Sequence, residues 1–259
     1  MAEKERRKQM KCAGIDIGSR TIELVVVENG RMIESRKTDT GFDPITQAKK
    51  ILDGVFYDDI MATGYGRGLF ETVFDHVKTV TEIKAHARGV QAFFDTATTI
   101  LDIGGQDSKA IALNEKGRVK KFEMNDRCAA GTGKFLEIMA TNLGFEIDLF
   151  GPAALCAENA MSINSMCTVF AESEVTSLIA KGADRREIAR GLHLSVVKRA
   201  SAMISRVSSQ GTIVFSGGVA QNPCIRELIS KNLGRQVVVP DNPQMMGALG
   251  AALILEENF

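Results

Sequence analysis

The sequence predicts an α/β protein in which one strand–turn–strand motif occurs twice. The first copy, residues 15–31, begins Ile-Asp-Ile-Gly-Ser, and the second, residues 101–118, begins Leu-Asp-Ile-Gly-Gly. In each copy an apolar run follows and ends in a Glu-x-Gly-Arg turn. Apolar runs bounded by glycine turns predict a β-hairpin. Because helical patterns follow both hairpins, the predicted fold class is α/β.

The remaining elements follow from periodicity and from residues typical of helix ends. Asp43-Pro44 predicts the start of one helix, and Gly182 predicts the end of another. Helices are predicted over 45–52, 81–94, 134–143, 167–181, 184–208, 223–232 and 244–255. Strands outside the hairpins are predicted over 60–63, 77–80, 212–215 and 237–239.

Length and charge restrict the class of protein. A chain of 259 residues supports two lobes. We expect the first lobe to contain 11–95 and 246–257, and the second to contain 96–245. Lys plus Arg and Asp plus Glu are both 32, which argues against a nucleic-acid or polybasic membrane-binding protein. Since no apolar run has the length of a transmembrane helix and the start is not a secretory signal, we expect a cytoplasmic protein.

The repeated Asp-Ile-Gly turn is the strongest functional signal. Glycines let backbone N–H groups approach phosphate oxygens, and a nearby carboxylate holds a metal ion through water. One copy alone is more simply an ordinary hairpin turn. Two copies with matching downstream turns favour a clamp for a metal-bound phosphate chain.

Five cysteines are present, and none forms a Cys-x-x-Cys pair. Disulfides are improbable in a cytoplasmic chain, and composition alone suggests small buried side chains. Cys128 and Cys167 each precede a predicted helix, and Ser165 is a candidate cap for the second helix. The positive end of a helix dipole favours a thiolate and an anionic cluster. Two structural cysteines at helix N-termini explain the pattern equally well at this point.

Three segments carry a specific resemblance: Asp102–Lys109, Asn125–Gly133 and Cys167–Val175. They are similar to the activator ATPases of 2-hydroxyacyl-CoA dehydratases and to the ATP-driven benzoyl-CoA reductase subunits. The resemblance spans nearly the whole chain. It implies a two-lobed actin-like (ribonuclease H-like) ATPase fold with a duplicated βββαβα core. Two departures, Lys84-Ala85 where the family often has Ser-Cys and Arg20 where a small residue is common, leave the partner and substrate open.

The resemblance implies roles for the residues of both hairpins. Asp16 and Asp102 are the expected holders of Mg²⁺ on ATP or ADP, and Gln106 or Asp107 is expected to orient the attacking water. Lys109 neutralises phosphate charge or caps its strand. The remaining predicted nucleotide contacts are Gly18, Ser19, Arg20, Gly104, Gly105, Gly217, Gly218, Gln221 and Asn222.

The resemblance also implies a metal centre and partners. Cys128 and Cys167 are the expected ligands of one 4Fe–4S cluster per homodimer, since two chains together supply the four thiolates that a cubane needs. Cys12, Cys156 and Cys224 are interpreted as structural. The implied partners are a second copy of the chain, a ferredoxin or flavodoxin electron donor, and a dehydratase or reductase.

The sequence therefore favours an ATP-hydrolysing iron–sulfur activator that passes a low-potential electron to a dehydratase. A benzoyl-CoA reductase-like or other double-cluster partner is the alternative. A small-molecule kinase on the same fold and a non-catalytic nucleotide-dependent scaffold are further hypotheses. The predicted helices 81–94 and 244–255 are expected to cross closely at a hinge, although a packed core helix explains the small residues of the second equally well.

Overall fold

The chain forms two compact units in a computed structural model that describes residues 10–164 and 167–259. The first unit runs to Ala97 and also contains Leu113–Lys120 and Pro240–Phe259. The second unit consists of Thr98–Ala112 and Lys121–Val239. Each unit is built on one five-stranded sheet.

The first sheet begins with the predicted hairpin and has the order β3-β2-β1-β4-β5. Its central strand β1 pairs antiparallel with β2 and parallel with β4. Strands β1 and β2 are buried along nearly their whole length, whereas β3 is largely half-buried or exposed. The strands are β1 (Cys12–Ile17), β2 (Thr21–Glu28), β3 (Arg31–Asp39), β4 (Asp59–Thr63) and β5 (Lys78–Thr79).

The second sheet repeats this arrangement with the order β10-β9-β6-β7-β8. Its central strand β6 pairs antiparallel with β7 and parallel with β9, as β1 does with β2 and β4. The strands are β6 (Thr99–Ile103), β7 (Ser108–Leu113), β8 (Val119–Asn125), β9 (Ile213–Ser216) and β10 (Val237–Val238). The structure therefore confirms the duplicated core that the two hairpins predicted.

Helices cover the sheets and complete the core of each unit. The second unit packs Phe150, Val196 and Phe215 with strand residues into one apolar cluster. The helices of the first unit are α1 (Pro44–Leu52), α2 (Arg67–Val73), α3 (Glu82–Gln91) and α9 (Met246–Glu257). Those of the second are α4 (Gly133–Asn142), α5 (Ile147–Leu155), α6 (Thr168–Ala180), α7 (Arg185–Val207) and α8 (Pro223–Leu233).

Two helices were missed in the sequence, one because it lacks a capping side chain and the other because it contains a proline. Helix α2 follows Gly66, which makes no side-chain cap, and is held by the buried Phe70, whose ring stacks on Phe74 at 4.0 Å. Helix α5 contains Pro152, which ordinarily argues against a helix interior. In both cases tertiary packing outweighs local propensity.

Helices α3 and α9 cross closely within the first unit, which is one of the two explanations that the small residues of α9 left open. A Cβ at Gly250 would overlap the carbonyl oxygen of Ala85, and one at Gly89 would overlap that of Met246. Only glycine allows the two backbones to approach this far. The expected hinge role of this crossing stays a prediction.

Candidate functional site

The first hairpin turn is tight and closes on itself. The Gly18 N–H donates to the Thr21 carbonyl at 3.0 Å, and the Thr40 hydroxyl donates to the Gly18 carbonyl at 2.8 Å. Ser19 is half-buried and Arg20 is exposed at the tip of the turn. The predicted contact residues of this turn therefore lie on one short, well-anchored segment.

Asp16 is buried just before this turn, among polar side chains that sequence reasoning missed. It is in register with Glu23 on β2 and with Thr63 on β4, so the three side chains share one face of the sheet. Both neighbours are buried. His86 on α3 faces Asp16, with Nε2 3.9 Å from Oδ2.

The second hairpin turn has the same geometry as the first. The Gly104 N–H donates to the Asp107 carbonyl at 3.0 Å. The turn is also joined to helix α4, because the Gly133 N–H donates to the Gly104 carbonyl at 2.9 Å and the Lys134 N–H to the Gly105 carbonyl at 2.8 Å. The first amides of α4 are thus used to hold this turn.

Asp102 lies in a buried polar cluster at the equivalent position of the second unit. Its Oδ1 accepts a hydrogen bond from the Ser216 hydroxyl at 3.0 Å, and its Oδ2 lies 3.3 Å from the Lys109 ammonium. The same ammonium lies 2.6 Å from Asp107 Oδ2. Because Lys109 is only 2% exposed, its charge needs compensation within the protein, and the two carboxylates supply it. Its predicted contact with phosphate stays a prediction, and the exposed Gln106 lies outside this cluster.

Strand β9 ends in a turn that requires glycine. Gly217 has φ +83°, and a Cβ there would overlap the Ile103 carbonyl oxygen. Gly64, which follows β4, has φ +88° and would meet Ile17 in the same way. Sequence reasoning missed this equivalence, although a short strand followed by Gly-x-Gly at Gly64 and by Gly-Gly at Gly217 was a visible signal.

A short 3₁₀ turn, Gly218–Gln221, follows Gly217 and leads into helix α8. Gly218 and Gln221 are exposed, whereas the intervening Val219 and Ala220 are buried. Asn222 caps α8 by accepting a hydrogen bond from the Ile225 N–H at 3.1 Å. The predicted nucleotide contacts Gly218 and Gln221 therefore lie on an accessible surface, while the Asn222 side chain is engaged within the protein.

The five cysteines are free thiols with different environments. Cys12 and Cys224 are buried, and desolvation raises the pKa of Cys12 to about 11 and that of Cys224 to about 12. Such thiols are unreactive, which suits the structural role expected of them. Cys128, Cys156 and Cys167 are exposed. Since Cys156 is exposed, burial does not account for the structural role that was expected of it.

The expectation that both candidate cluster ligands lie at helix N-termini is right for Cys167 and wrong for Cys128. Cys167 is the N-cap residue of α6, and the suggested cap Ser165 lies outside the described residues. Cys128 lies in a loop, because α4 begins only at Gly133. This start agrees with the predicted start at 134 to within one residue, so Cys128 lies five residues before the helix, and the first amides of α4 bind the turn at Gly104 and Gly105.

The loop of Cys128 is held by side chains of its own motif. The Asn125 amide donates to the carbonyls of Cys128 at 2.9 Å and Ala130 at 3.4 Å. The Thr132 hydroxyl donates to the Ala129 carbonyl at 2.6 Å. These bonds fix the backbone and leave the Cys128 thiol exposed.

The donor chemistry of Cys128 and Cys167 fits an iron–sulfur cluster, since cysteine sulfur is the usual ligand of such clusters and both side chains are exposed. Over 10–164 and 167–259, no group of three or more His, Cys, Asp or Glu is arranged to hold a metal ion. Two thiols from one chain are half of a cubane's ligand set.

None of the helices in the described part of the chain is both long and apolar enough to cross a membrane.

Known proteins are similar to this chain over most of its length. The BadF/BadG/BcrA/BcrD ATPase family matches residues 13–254. A 2-hydroxyisocaproyl-CoA dehydratase activator of Clostridioides difficile is 40% identical over 93% of this chain and 92% of its own. One of the benzoyl-CoA reductase subunits of Thauera aromatica is 29% identical over 93% of this chain and 91% of its own.

The same similarity holds for a solved structure. The activator of the 2-hydroxyisocaproyl-CoA dehydratase from Clostridium difficile, solved with bound ADPNP, has a TM-score of 0.88 and 38% identity. The match covers 96% of this chain and 95% of that chain. Together with the repeated strand order, this similarity confirms the predicted actin-like ATPase fold.

Proposed function

Since the chain belongs to the BadF/BadG/BcrA/BcrD ATPase family, we propose that it is an ATP-hydrolysing iron–sulfur activator that passes a low-potential electron to a partner enzyme. The partner is a 2-hydroxyacyl-CoA dehydratase, the class of enzyme that the relative with 40% identity activates. A ferredoxin or flavodoxin supplies the electron. The protein acts in the cytoplasm.

The nucleotide is held mainly by backbone groups, as phosphoryl transfer depends on positioning and charge neutralisation. The turns at Gly18 and Gly104 offer N–H groups to phosphate oxygens, and Asp16 and Asp102 hold Mg²⁺ through water. Gln106 orients the attacking water, since it is exposed beside its turn while Asp107 is paired with Lys109. The further nucleotide contacts are Ser19, Arg20, Gly105, Gly217, Gly218 and Gln221, and the adenosine lies on the bare backbone of Gly217 and Gly218 at the start of the turn Gly218–Gln221. Asn222 ends this turn and contributes by supporting it, since both ends of its side-chain amide are bound within the protein.

The observation that carries this proposal is the join between the second turn and helix α4. The carbonyls of Gly104 and Gly105 accept hydrogen bonds from the first two residues of α4. The loop of Cys128 lies directly before that helix. A change at the phosphate turn is therefore transmitted by backbone hydrogen bonds to the segment that bears Cys128, which links nucleotide state to the cluster ligand.

Cys128 and Cys167, with the same two residues of a second copy, are the four ligands of one 4Fe–4S cluster. When bound, the cluster supplies low-potential one-electron transfer. Val169 and Phe170, 65% and 68% exposed in the first turn of α6, lie beside Cys167. Large apolar side chains at this exposure favour a surface that the second copy covers.

A benzoyl-CoA reductase-like or other double-cluster reductase is the second candidate for the partner. The observation that favours it is the 29% identity to a benzoyl-CoA reductase component over nearly the whole chain. The nucleotide and cysteine roles are the same for both partners. Electron transfer assays with each purified partner class distinguish them.

Anaerobic purification tests the cluster. We expect a brown homodimer with about two iron atoms per chain, and we expect Cys128→Ser and Cys167→Ser each to lose the iron and its visible absorbance. The exposed Cys156 provides the matched control, since Cys156→Ser should retain both. Full iron content in either ligand variant would overturn the assignment.

Binding of ADPNP and steady-state hydrolysis test the ATPase. Asp16→Asn keeps the size of the side chain and removes the charge that holds Mg²⁺, so hydrolysis should fall on the order of 100-fold. A purified dimer that neither binds ADPNP nor hydrolyses ATP with reduced cluster and partner present would contradict the proposal. Phosphorylation of a metabolite by a colourless protein would instead support the kinase hypothesis.

A further inference from the structure

His193 is a fully buried histidine in the middle of helix α7. Its Nδ1 lies 2.7 Å from the Ala189 carbonyl oxygen, four residues earlier in the helix. Because a carbonyl only accepts, Nδ1 carries the proton and donates it. Nε2 is then an acceptor, and it lies 2.9 Å from the Asn222 side-chain nitrogen, which donates to it.

The surroundings keep this imidazole neutral. The Phe150 ring lies 4.6 Å from the His193 ring, and burial lowers the pKa of His193 to about 4. A proton on Nε2 would point at the N–H donor of Asn222. The single tautomer that accepts from Asn222 is therefore the form present at neutral pH.

Asn222 uses both ends of its amide, and each end holds a different part of the structure. Its oxygen caps helix α8, and its nitrogen is bound to His193. Its backbone N–H donates to the Val219 carbonyl at 2.9 Å, inside the turn Gly218–Gln221. The end of that turn is thus anchored to α7 as well as to α8.

We infer that His193 is a positioning residue for nucleotide binding: through Asn222 it fixes the turn Gly218–Gln221 in the conformation that receives the adenosine. This inference rests on the proposed function, which places the adenosine on that turn. A cap needs only the oxygen of residue 222, and serine supplies one equally well. The amide nitrogen adds a bond to a rigid, neutral acceptor, which sets the position of the turn rather than the helix.

The test compares ADPNP affinity, measured by calorimetry, across variants of the anaerobically purified dimer. His193→Leu removes the acceptor and should weaken ADPNP binding by about tenfold, as expected for one lost hydrogen bond. His193→Gln offers an amide oxygen to Asn222 and should restore affinity to within about threefold. The loss should appear in the KM for ATP rather than in kcat.

Ser201 supplies a matched control on the same helix. Its hydroxyl accepts a hydrogen bond from the Asn232 amide at 2.8 Å, so it joins α7 to the far end of α8. Ser201→Ala should lower the melting temperature and leave ADPNP affinity unchanged. Equal losses of affinity in Ser201→Ala and His193→Leu would reduce His193 to a purely structural residue.

Asn222→Ser keeps the inference testable if His193→Leu fails to fold, because it retains the cap and loses the donor. It should weaken ADPNP binding as His193→Leu does, and nitrogen NMR shifts should show Nε2 of His193 losing its hydrogen-bond donor while Nδ1 keeps its proton on the Ala189 carbonyl. Wild-type affinity in Asn222→Ser would overturn the inference alone. No binding of ADPNP by the wild-type dimer would overturn the proposed function and, with it, this inference.

Discussion

The two aspartates of the duplicated core have the same backbone setting and opposite neighbours. In each unit the aspartate is the second-last residue of a central strand, faces a hydroxyl residue on the parallel strand and precedes a glycine turn. Seven residues later, the antiparallel strand places Glu23 opposite Asp16 but Lys109 opposite Asp102. The equivalent sets are Asp16, Glu23, Thr63 and Gly64 in the first unit, and Asp102, Lys109, Ser216 and Gly217 in the second.

This difference shows that duplication preserved the geometry of the turn and changed its charge. Asp102 has a cation within its own unit, since Lys109 lies 3.3 Å away. Asp16 has a carboxylate across the strand pair and His86 at 3.9 Å. The first turn therefore has two carboxylates in register across the strand pair, whereas the second combines a carboxylate with a fixed positive charge.

Removal of the fixed cation is the most severe test of this comparison. Lys109→Met leaves two carboxylates, Asp102 and Asp107, without the buried ammonium between them, so the free energy of unfolding should fall by about 4 kcal/mol. Denaturant titration measures the loss. Lys121→Met, at an exposed lysine of the same sheet, is the control and should cost far less.

A loss below about 1 kcal/mol for Lys109→Met would mean that the ammonium does not compensate the carboxylates, given the typical cost of breaking a buried ion pair. The contrast between the two turns would then be one of residue type without an energetic consequence.

The buried His193 of the second unit makes the free energy of unfolding depend on pH. Burial lowers the pKa of His193 from 6.5 to about 4, so the unfolded chain binds a proton that the folded chain rejects between these values. The stability from this group is complete above pH 6.5 and is lost as pH falls towards 4, by about 3 kcal/mol.

Denaturation at several pH values measures this loss, with His193→Gln as the reference. The variant should show a flatter dependence between pH 6.5 and 4, because only the titration of other groups remains. Identical pH dependence in both proteins would show that His193 is not held neutral by the second unit.

The paired glycines test whether the two turns are structurally equivalent. Gly64→Ala and Gly217→Ala each place a Cβ at positive φ against a carbonyl, so each should lower the free energy of unfolding by about 2 kcal/mol. Gly68→Ala, where a Cβ meets open space, is the control and should be neutral or slightly stabilising. Tolerance of alanine at one of the two positions but not the other would break the equivalence.

The helix caps give the smallest predicted difference. Asp43 and Asn222 both cap a helix that begins with proline. The second bond of Asp43 is an exposed one from the Thr46 hydroxyl of its own helix, whereas the second bond of Asn222 is to the buried His193 of another helix. Asn222→Ala should cost about 1.5 kcal/mol, the sum of a cap and a shared hydrogen bond, and more than Asp43→Ala costs. Melting temperatures of the two variants provide the comparison, and equal shifts would exclude a stabilising bond to His193.

Features that depend on residues close together in the chain could be predicted from the sequence, whereas contacts between distant residues could not. The hairpins and their aspartates were predictable because a turn and its flanking strands are local. The contact of Asp102 with Ser216 joins residues 114 apart and depends on strand order, which no local pattern contains. The seven-residue spacing from Asp16 to Glu23 and from Asp102 to Lys109 was readable, and it identifies the charge difference without a structure.

The error at Cys128 concerns its distance from the helix and not the helix itself, whose predicted start at 134 agrees with the observed start at Gly133 to within one residue. Cys128 lies five residues before that start, and the first amides of the helix are occupied by carbonyls of a turn some thirty residues earlier in the chain. Helix α2 was missed for a similar reason, since the burial of Phe70 is a tertiary effect.

The use of the first α4 amides by the second turn has a practical consequence for measuring motion. Amides in the first turn of a helix ordinarily lack acceptors and exchange with deuterium within seconds. Those of Gly133 and Lys134 have carbonyl acceptors at 2.9 Å and 2.8 Å, so they should exchange slowly. The deuterium uptake of these two amides therefore reports whether the hydrogen bonds between the turn at Gly104 and helix α4 are intact.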